Sequence, residues 1–587
     1  MIPSRLAPRG AGPAVLFGGV ASFVAGVYVL EAIRPALLLD PDPRWLIPRF
    51  LLWIGLLSAA GAAGALAASL FFLWSRVVPE GPLALPFRRA TIGLLAVAAL
   101  AAGAYFRFVG LDSLPIPLWV DDVSLIEPTM ALERSRDDFR DSIRAAPYGV
   151  AEPYGSVGVL YLQLYRTSLE LAGTTVLGVR LPSALAGAVS VGTSMLLGRA
   201  LLPRGGGALA GLALAGMRWS LILSRWGWVA IAVAPILDLA TLALFTARRR
   251  RSPVLAAVAG VVAGIAAHVY LAAWVGTAAL LAIAAWPAAP GERRLRRPTL
   301  VLGFAAAFAV TAAPLLFLRE GRTAPYFARA SDQNVRLEVQ RSRSPLPLFG
   351  AAADALASPW FLADPTARHD LPDRSRLGWI GGSLAAVALG FALLRPRRDF
   401  SAYLLANAAA AFAATVVGGR ASVPNGFRFA YLADVAAVAI AGGALLLLAF
   451  ASPARRRAAA LAVTGAIAIA SAAGTRDALV GWAGSRTTFD DFWGQDTLLG
   501  RAAARWDAYG RVELDPSLGK NGLTVAGVRR YRLDPDRSTG AASRERESRE
   551  FRIRAPDRPA AAGERLVERV TDPWGREWAR VYARKTL

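Results

Sequence analysis

The chain has 587 residues, 55% of them hydrophobic and 18% charged, with a mean hydropathy of +0.41. That much apolar surface cannot all be buried in a water-soluble core, which excludes an ordinary soluble domain and points to a polytopic membrane protein. The net charge of +24 comes mostly from arginine clusters between apolar runs, so it reads as a topology signal rather than a nucleic-acid patch, and the absence of cysteine excludes disulfides and thiolate chemistry.

In chain order, the first apolar run covers 11–30. It has little positive charge in front and no clear small-residue cleavage site, so it reads as a retained helix rather than a cleaved signal peptide. Further runs follow at 51–74 and, after Arg88 and Arg89, at 90–106. Each approaches the ~20 residues that cross the hydrocarbon of a bilayer. The first long break comes next, a polar loop at 107–156 that carries Asp121, Asp122, Glu127, Glu133, Asp137, Asp138, Asp141 and Glu152. Carboxylates held beside apolar walls at a membrane surface are where proton affinity is tuned for acid or base work.

Beyond the loop, spans are expected at 179–197, 208–223, 228–245, 254–268, 271–286, 300–318, 380–394, 403–417, 431–450 and 458–473. The fold class expected is mainly α, a polytopic transmembrane helix bundle of about thirteen spans. The clusters at Arg88–Arg89, 248–251, 293–297, 395–398 and 455–457 belong on the cytoplasmic side by the positive-inside rule. All five fit one alternating thread that puts the N-terminus inside and the acidic loop, the 319–378 segment and the C-terminal tail outside. The run at 157–171 would invert every later loop if it crossed, so it is expected to lie on the outer surface or to dip in without crossing.

After residue 474 the composition turns polar, and residues 475–587 are expected to form a small extracytoplasmic α/β domain. RVEL, LTVAGVRRYRL and REFRIRA alternate like short strands, LLGRAAARW reads as a helix, and SRERESRE reads as a solvated loop. The remaining divisions expected are an N-terminal pair of spans within 1–88 and a catalytic membrane domain over 89–474.

Each candidate for chemistry has a plainer reading. Asp121 and Asp122 in LWVDDVSL also suit loop acids or a helix N-cap, and Glu152 suits a first-turn carboxylate. Arg180 and Arg225 also suit arginines snorkelling at span ends. Asp238 lies inside the expected span APILDLATL, where an ionisable group marks a polar pathway or an interhelical pairing, with Arg218 or His268 as conceivable partners. His268 and His369 are the only histidines, so a histidine-rich metal site is excluded, while Asp121, Asp122 and Glu152 leave a carboxylate site for a divalent cation open.

The series LDSLPIPLWVDDVSLIEPTMAL, EPYGSVGVLYLQLY, LGVRLPSALAGAVSVGTSMLLGRALL, MRWSLILSRWGWVAIAVAP and HVYLAAW resembles the bacterial branch of the protein O-mannosyltransferase and aminoarabinose-transferase type, a family 39-like part of the GT-C fold group of membrane glycosyltransferases. YFARASDQNV, LADPTARHDLPDRSRLG and PNGFRFAYLAD are similar to one bacterial subgroup. The resemblance implies a polyprenyl-phosphate sugar donor, an envelope acceptor that is a glycan, lipid or protein, and an active site on the extracytoplasmic face of the cell membrane. It implies Asp121 as catalytic base, with Asp122 and Glu152 beside it, and Arg180 and Arg225 at the lipid phosphate. Tyr270 and Arg428, inside two of the resembling segments, are taken as further substrate contacts. The chain departs from the pattern at Val120, where His is common, and at Asp122, where Glu is usual; a lysine that some relatives place near the phosphate has no counterpart.

Two other classes remain. A transporter or lipid flippase would use Asp238 as its ion or proton site and paired broken helices as its architecture. An envelope scaffold would use the tail to bind a partner.

Overall fold

The structure, a computed structural model, describes residues 81–126, 129, 158–287, 297–317, 335–343, 346–357, 360, 366–372, 374–418, 429–515, 517–533 and 550–584. The expected spans at 11–30 and 51–74, together with Glu152, Arg428 and most of the acidic loop, lie outside these residues.

Among the described residues, seven helices are long and apolar enough to cross a membrane, a bent pair makes an eighth if it counts as one span, and three shorter apolar helices accompany them. This is a multi-pass membrane protein. In chain order the bundle contains α1 (Arg89–Phe108), the short α2 (Val120–Ser124), α3 (Val159–Ala172), α4 (Val176–Leu201), α5 (Gly206–Ala215) and α6 (Arg218–Arg225). It continues with α7 (Val233–Arg250), α8 (Pro253–Ala267), α9 (Ala273–Ala285), α10 (Arg297–Phe317), α11 (Val335–Ser342), α12 (Leu346–Ala357), α13 (Gly378–Leu394), α14 (Asp399–Gly418), α15 (Leu432–Leu447) and α16 (Arg456–Arg476). Helix starts follow local chemistry: the Thr175 hydroxyl accepts from Gly178 N to cap α4, and Ser252 caps α8 with Pro253 at its first position.

The run expected at 157–171 is α3, and its contacts all lie at the acidic-loop end of the bundle. Gly158 N donates to Val269 O at 2.9 Å, and Ser168 Oγ donates to Gly178 O at 2.6 Å. The approach at Gly158 is so close that a Cβ there would lie 1.6 Å from the His268 carbonyl oxygen. Gly158→Ala is therefore expected to lift the start of α3 off the bundle, costing about 1–3 kcal/mol as overpacking against backbone does; thermal unfolding in detergent checks this.

The span expected at 208–223 is not straight. It breaks at Gly216 and Met217 with a bend of 57° between α5 and α6. A break inside an apolar bundle leaves carbonyls without helical partners, and here the buried Arg107 of α1 supplies donors, to Leu214 O and Ala215 O at 3.3 Å and to Ser220 Oγ at 2.8 Å. Among the described residues this is the one bent pair of the kind that qualifies as a span, so the paired broken helices of a transporter are not seen there.

After α16 come α17 (Arg486–Asp491), α18 (Gly494–Trp506), β1 (Arg511–Leu514), α19 (Gly522–Tyr531), β2 (Glu550–Arg554), β3 (Glu564–Thr571) and β4 (Glu577–Arg584). The four strands form one sheet in the order β1-β2-β4-β3, with β1 parallel to β2 and the other pairs antiparallel. Trp506 of α18 packs on Phe551, 4.8 Å between ring centroids, over a core that includes Ile553 and Val581. RVEL, REFRIRA and LLGRAAARW take the expected strand, strand and helix. LTVAGVRRYRL does not: it is helix α19, because Asn521 caps Leu523 N and Thr524 N while Thr524, Val525 and Val528 share one buried helical face. SRERESRE falls outside the described residues apart from Glu550.

Asp572 organises the turn between β3 and β4. Burial alone would raise its carboxyl, but donors from Arg576, Trp578 and Trp574 outweigh it and hold the group below the usual carboxylate range. A depressed folded-state pKa stabilises above the unfolded value of about 3.9, and that stabilisation is lost as pH falls through the folded value. The stability gap between the wild type and Asp572→Asn is therefore expected to be full at neutral pH and to close below about pH 4; unfolding across pH measures it.

Candidate functional site

Asp121 and Asp122 sit on α2, at the end of the 109–119 loop that leaves α1. The side-chain surroundings of Asp121 lie outside what the structure describes; those of Asp122 do not. Asp122 is 1% exposed, and its Oδ2 accepts from Trp119 N at 3.0 Å, the reach-back that starts a short helix. Its backbone carbonyl accepts from Tyr165 Oη of α3 at 2.7 Å. Burial, reinforced by the Asp122 carboxylate, pushes the Tyr165 hydroxyl well up, so it stays a neutral donor. Asp122 also needs Gly227, where a Cβ would come within 2.9 Å of Oδ1. Asp122 is thus a buried structural acid, and Asp121 is its neighbour at the adjacent helical position.

Two guanidinium groups from separate helices hold the loop that leads into α2. Arg180 of α4, 1% exposed, donates to Leu111 O at 3.1 Å, Pro115 O at 2.7 Å and Pro117 O at 2.8 Å. Arg225, the last residue of α6, donates to Phe106 O at 2.9 Å, Gly110 O at 3.0 Å and Leu114 O at 3.1 Å. A planar fork of donors suits a line of closely spaced loop carbonyls. The two arginines meet the loop before α2 at one end of the bundle. Their terminal NH groups, however, are spent on backbone carbonyls rather than turned to open space for a phosphate.

The C-terminal domain closes over the same loop. Leu118 N donates to Thr497 Oγ1 at 3.0 Å, and Arg501 donates to Ile116 O at 3.3 Å. Trp119 lies 4.8 Å from Trp493 between ring centroids, and the Arg368 guanidinium stands 4.0 Å over the Trp119 ring. A Cβ on Gly527 of α19 would fall 2.0 Å from Val123 Cγ1 of α2. Thr497, Arg501, Trp493 and Arg368 are not candidates from the sequence, because nothing local links residues hundreds of positions away to α2.

Tyr270 lies at this end too, 6% exposed and edge-on to Trp228 at 6.1 Å. His268 Nε2 meets Thr311 O at 2.8 Å. Neither histidine nor Arg218 partners Asp238. Asp238 Oδ2 accepts from Thr193 Oγ1 at 2.7 Å, and its carboxyl lies against that of Asp434 on α15. The reason is packing: α7 buries this face against α4 and α15, whereas Arg218 stands at the α5–α6 break and binds Asp370 at 2.6 Å. Among the described residues no three His, Cys, Asp or Glu side chains gather as a metal site, and the cation reading at Asp121, Asp122 and Glu152 depends on side chains outside them.

At the same end a groove of about 430 Å³ runs between α5, α13, α15 and α16. Trp360, Trp379, Ile380, Ile440 and Ile467 form its apolar wall, and Arg218, Arg374 and Arg376 stand on its lining. Trp379 is 53% exposed. The arrangement offers an apolar bed beside cationic groups, within the loop segment 366–378 that also carries Arg368 to Trp119.

No family model and no curated protein matches the chain. Among solved structures it is similar to the oligosaccharyltransferase AglB from Archaeoglobus fulgidus, in complex with an inhibitory peptide and a dolichol-phosphate, at 14% identity and a TM-score of 0.43 over 71% of this chain and 57% of that one. A complex of the Archaeoglobus fulgidus oligosaccharyltransferase with Zn and sulfate gives 17% identity and a TM-score of 0.47 over 75% of this chain and 62% of that one. The chain therefore spans less than two thirds of either oligosaccharyltransferase. ArnT from Cupriavidus metallidurans bound to undecaprenyl phosphate gives 16% identity and a TM-score of 0.42 over 85% of this chain and 98% of that one.

Proposed function

We propose that the protein is an integral membrane glycosyltransferase that moves a sugar from a polyprenyl-phosphate donor to an acceptor hydroxyl on the extracytoplasmic side, with inversion at the anomeric carbon. The observation that carries this reading is the two-arginine clamp: Arg180 and Arg225 fix, from two separate helices, the loop whose next element bears Asp121. Fixing a loop carboxylate at a bundle end suits a positioned general base.

In the reaction, the acceptor oxygen attacks the anomeric carbon as Asp121 takes its proton, and the carbon–oxygen bond to the donor phosphate breaks on the opposite face. The departing phosphate keeps the electron pair and needs no strong general acid, only cationic groups that stabilise its growing charge. Arg374 and Arg376 on the groove lining suit that task, with the polyprenyl tail along Trp379, Ile380 and Ile440. Arg180 and Arg225 then act as positioning residues. The positive-inside rule, applied to the arginine-rich ends of α7, α13 and α16, supports an extracytoplasmic site.

The test is purified protein with radiolabelled polyprenyl-phosphate sugars, reading label that leaves the lipid. Release of label with a soluble or lipid acceptor supports the proposal; no release from any donor lipid ends it. Asp238→Asn, which keeps shape at the Thr193 contact, is expected to retain most transfer activity, within a few-fold of the wild type as an isosteric change remote from chemistry does. A transporter would instead lose its flux in that variant.

A further inference from the structure

The end of the bundle opposite α2 carries a second cavity, of about 790 Å³, that the reaction does not use. Its apolar floor is built by Leu201, Phe391, Leu394 and Phe400, and its rim by Arg248, Arg395, Arg397 and Arg398. Among the described residues the one acid on the lining is Asp399, and its oxygens already face Arg248 at 3.7 Å and Arg249 at 3.4 Å. Arg395, Arg397 and Arg398 are exposed and make no ion pair or side-chain hydrogen bond among the described residues.

Arginines at span ends are required for orientation, so a basic loop alone says nothing further. Here, though, three unspent guanidiniums line a concavity formed by the ends of four helices, with an apolar floor directly beneath them. Helix α14 starts at Asp399 on the same lining, so the positive end of its dipole lies at the cavity. We propose that this cavity binds an anionic phospholipid of the leaflet at this end: the headgroup phosphate between Arg395, Arg397 and Arg398, and the upper acyl chain against Phe391 and Leu394. Basic pockets between membrane helices on the cytoplasmic side are suited to such headgroups. The choice of a lipid over a soluble polyanion follows from the apolar floor, which a free phosphate would leave uncovered.

The experiment uses the full chain purified in a neutral detergent. Cardiolipin or phosphatidylglycerol is expected to raise the unfolding temperature, whereas phosphatidylcholine and glycerol phosphate are not. The effect is expected to vanish in the Arg395→Gln, Arg397→Gln, Arg398→Gln triple variant and to persist in Arg455→Gln, Arg456→Gln, Arg457→Gln, which removes equal charge from the same end of the bundle. Equal stabilisation in both triple variants, or by glycerol phosphate, would overturn the proposal. Because removing arginines can disturb insertion, a photoactivatable phosphatidylglycerol is also cross-linked to the wild type. Label on 391–400 supports the site; label absent from that stretch rejects it.

Discussion

Asp121→Asn is expected to lower sugar transfer by about 100- to 10,000-fold, the range a positioned general base contributes. The substitution keeps size and helical position, and Asn cannot take the proton that the acceptor hydroxyl must lose. Expression and unfolding temperature should stay near wild type, because the contacts of Asp122 with Trp119 N, Tyr165 and Gly227 are left in place. Asp122→Asn offers the contrast: it changes a buried acceptor and should lower stability as well as activity. Measured as label released per minute from the donor lipid, near-normal turnover in Asp121→Asn would remove this residue from the mechanism.

Arg180→Met is expected to cost about 3 kcal/mol of stability and most of the transfer activity. The methionine fills similar apolar space but leaves the carbonyls of Leu111, Pro115 and Pro117 without their donor. Each orphaned buried acceptor costs about 1–3 kcal/mol, and outward relaxation of the loop toward water recovers part of the sum. Arg180→Lys should fall between, since one ammonium cannot span three carbonyls as the fork does. The kinetic signature separates two roles. A positioning residue lowers kcat with the donor KM little changed, and faster proteolysis within 109–119 accompanies it; a phosphate-binding residue raises the donor KM instead.

Much of the bundle was legible because hydropathy and arginine placement act along the chain. The runs at 179–197, 228–245 and 380–394 appear as helices α4, α7 and α13 within a few residues. The break at Gly216 was not legible: it depends on close approach to Ser471 of α16 and on Arg107 taking up the freed carbonyls. LTVAGVRRYRL misled because β-branched residues raise strand propensity, while the Asn521 cap and the face of α19 against α2 decided for a helix.

By itself the sequence determined the class of solvent each segment must meet, hence a multi-pass helical protein with a polar C-terminal domain, and it marked Asp121, Arg180 and Arg225 as belonging to one end. Desolvation cost is a property of local composition, so it can be read residue by residue. Only the tertiary structure decided what those arginines touch, that Asp238 meets Thr193 and Asp434, and that Thr497 and Trp493 close over the loop before α2. Hydrogen-bond partners are chosen by which backbone groups remain unsatisfied once distant helices pack, and that choice exists nowhere along the chain until it has folded.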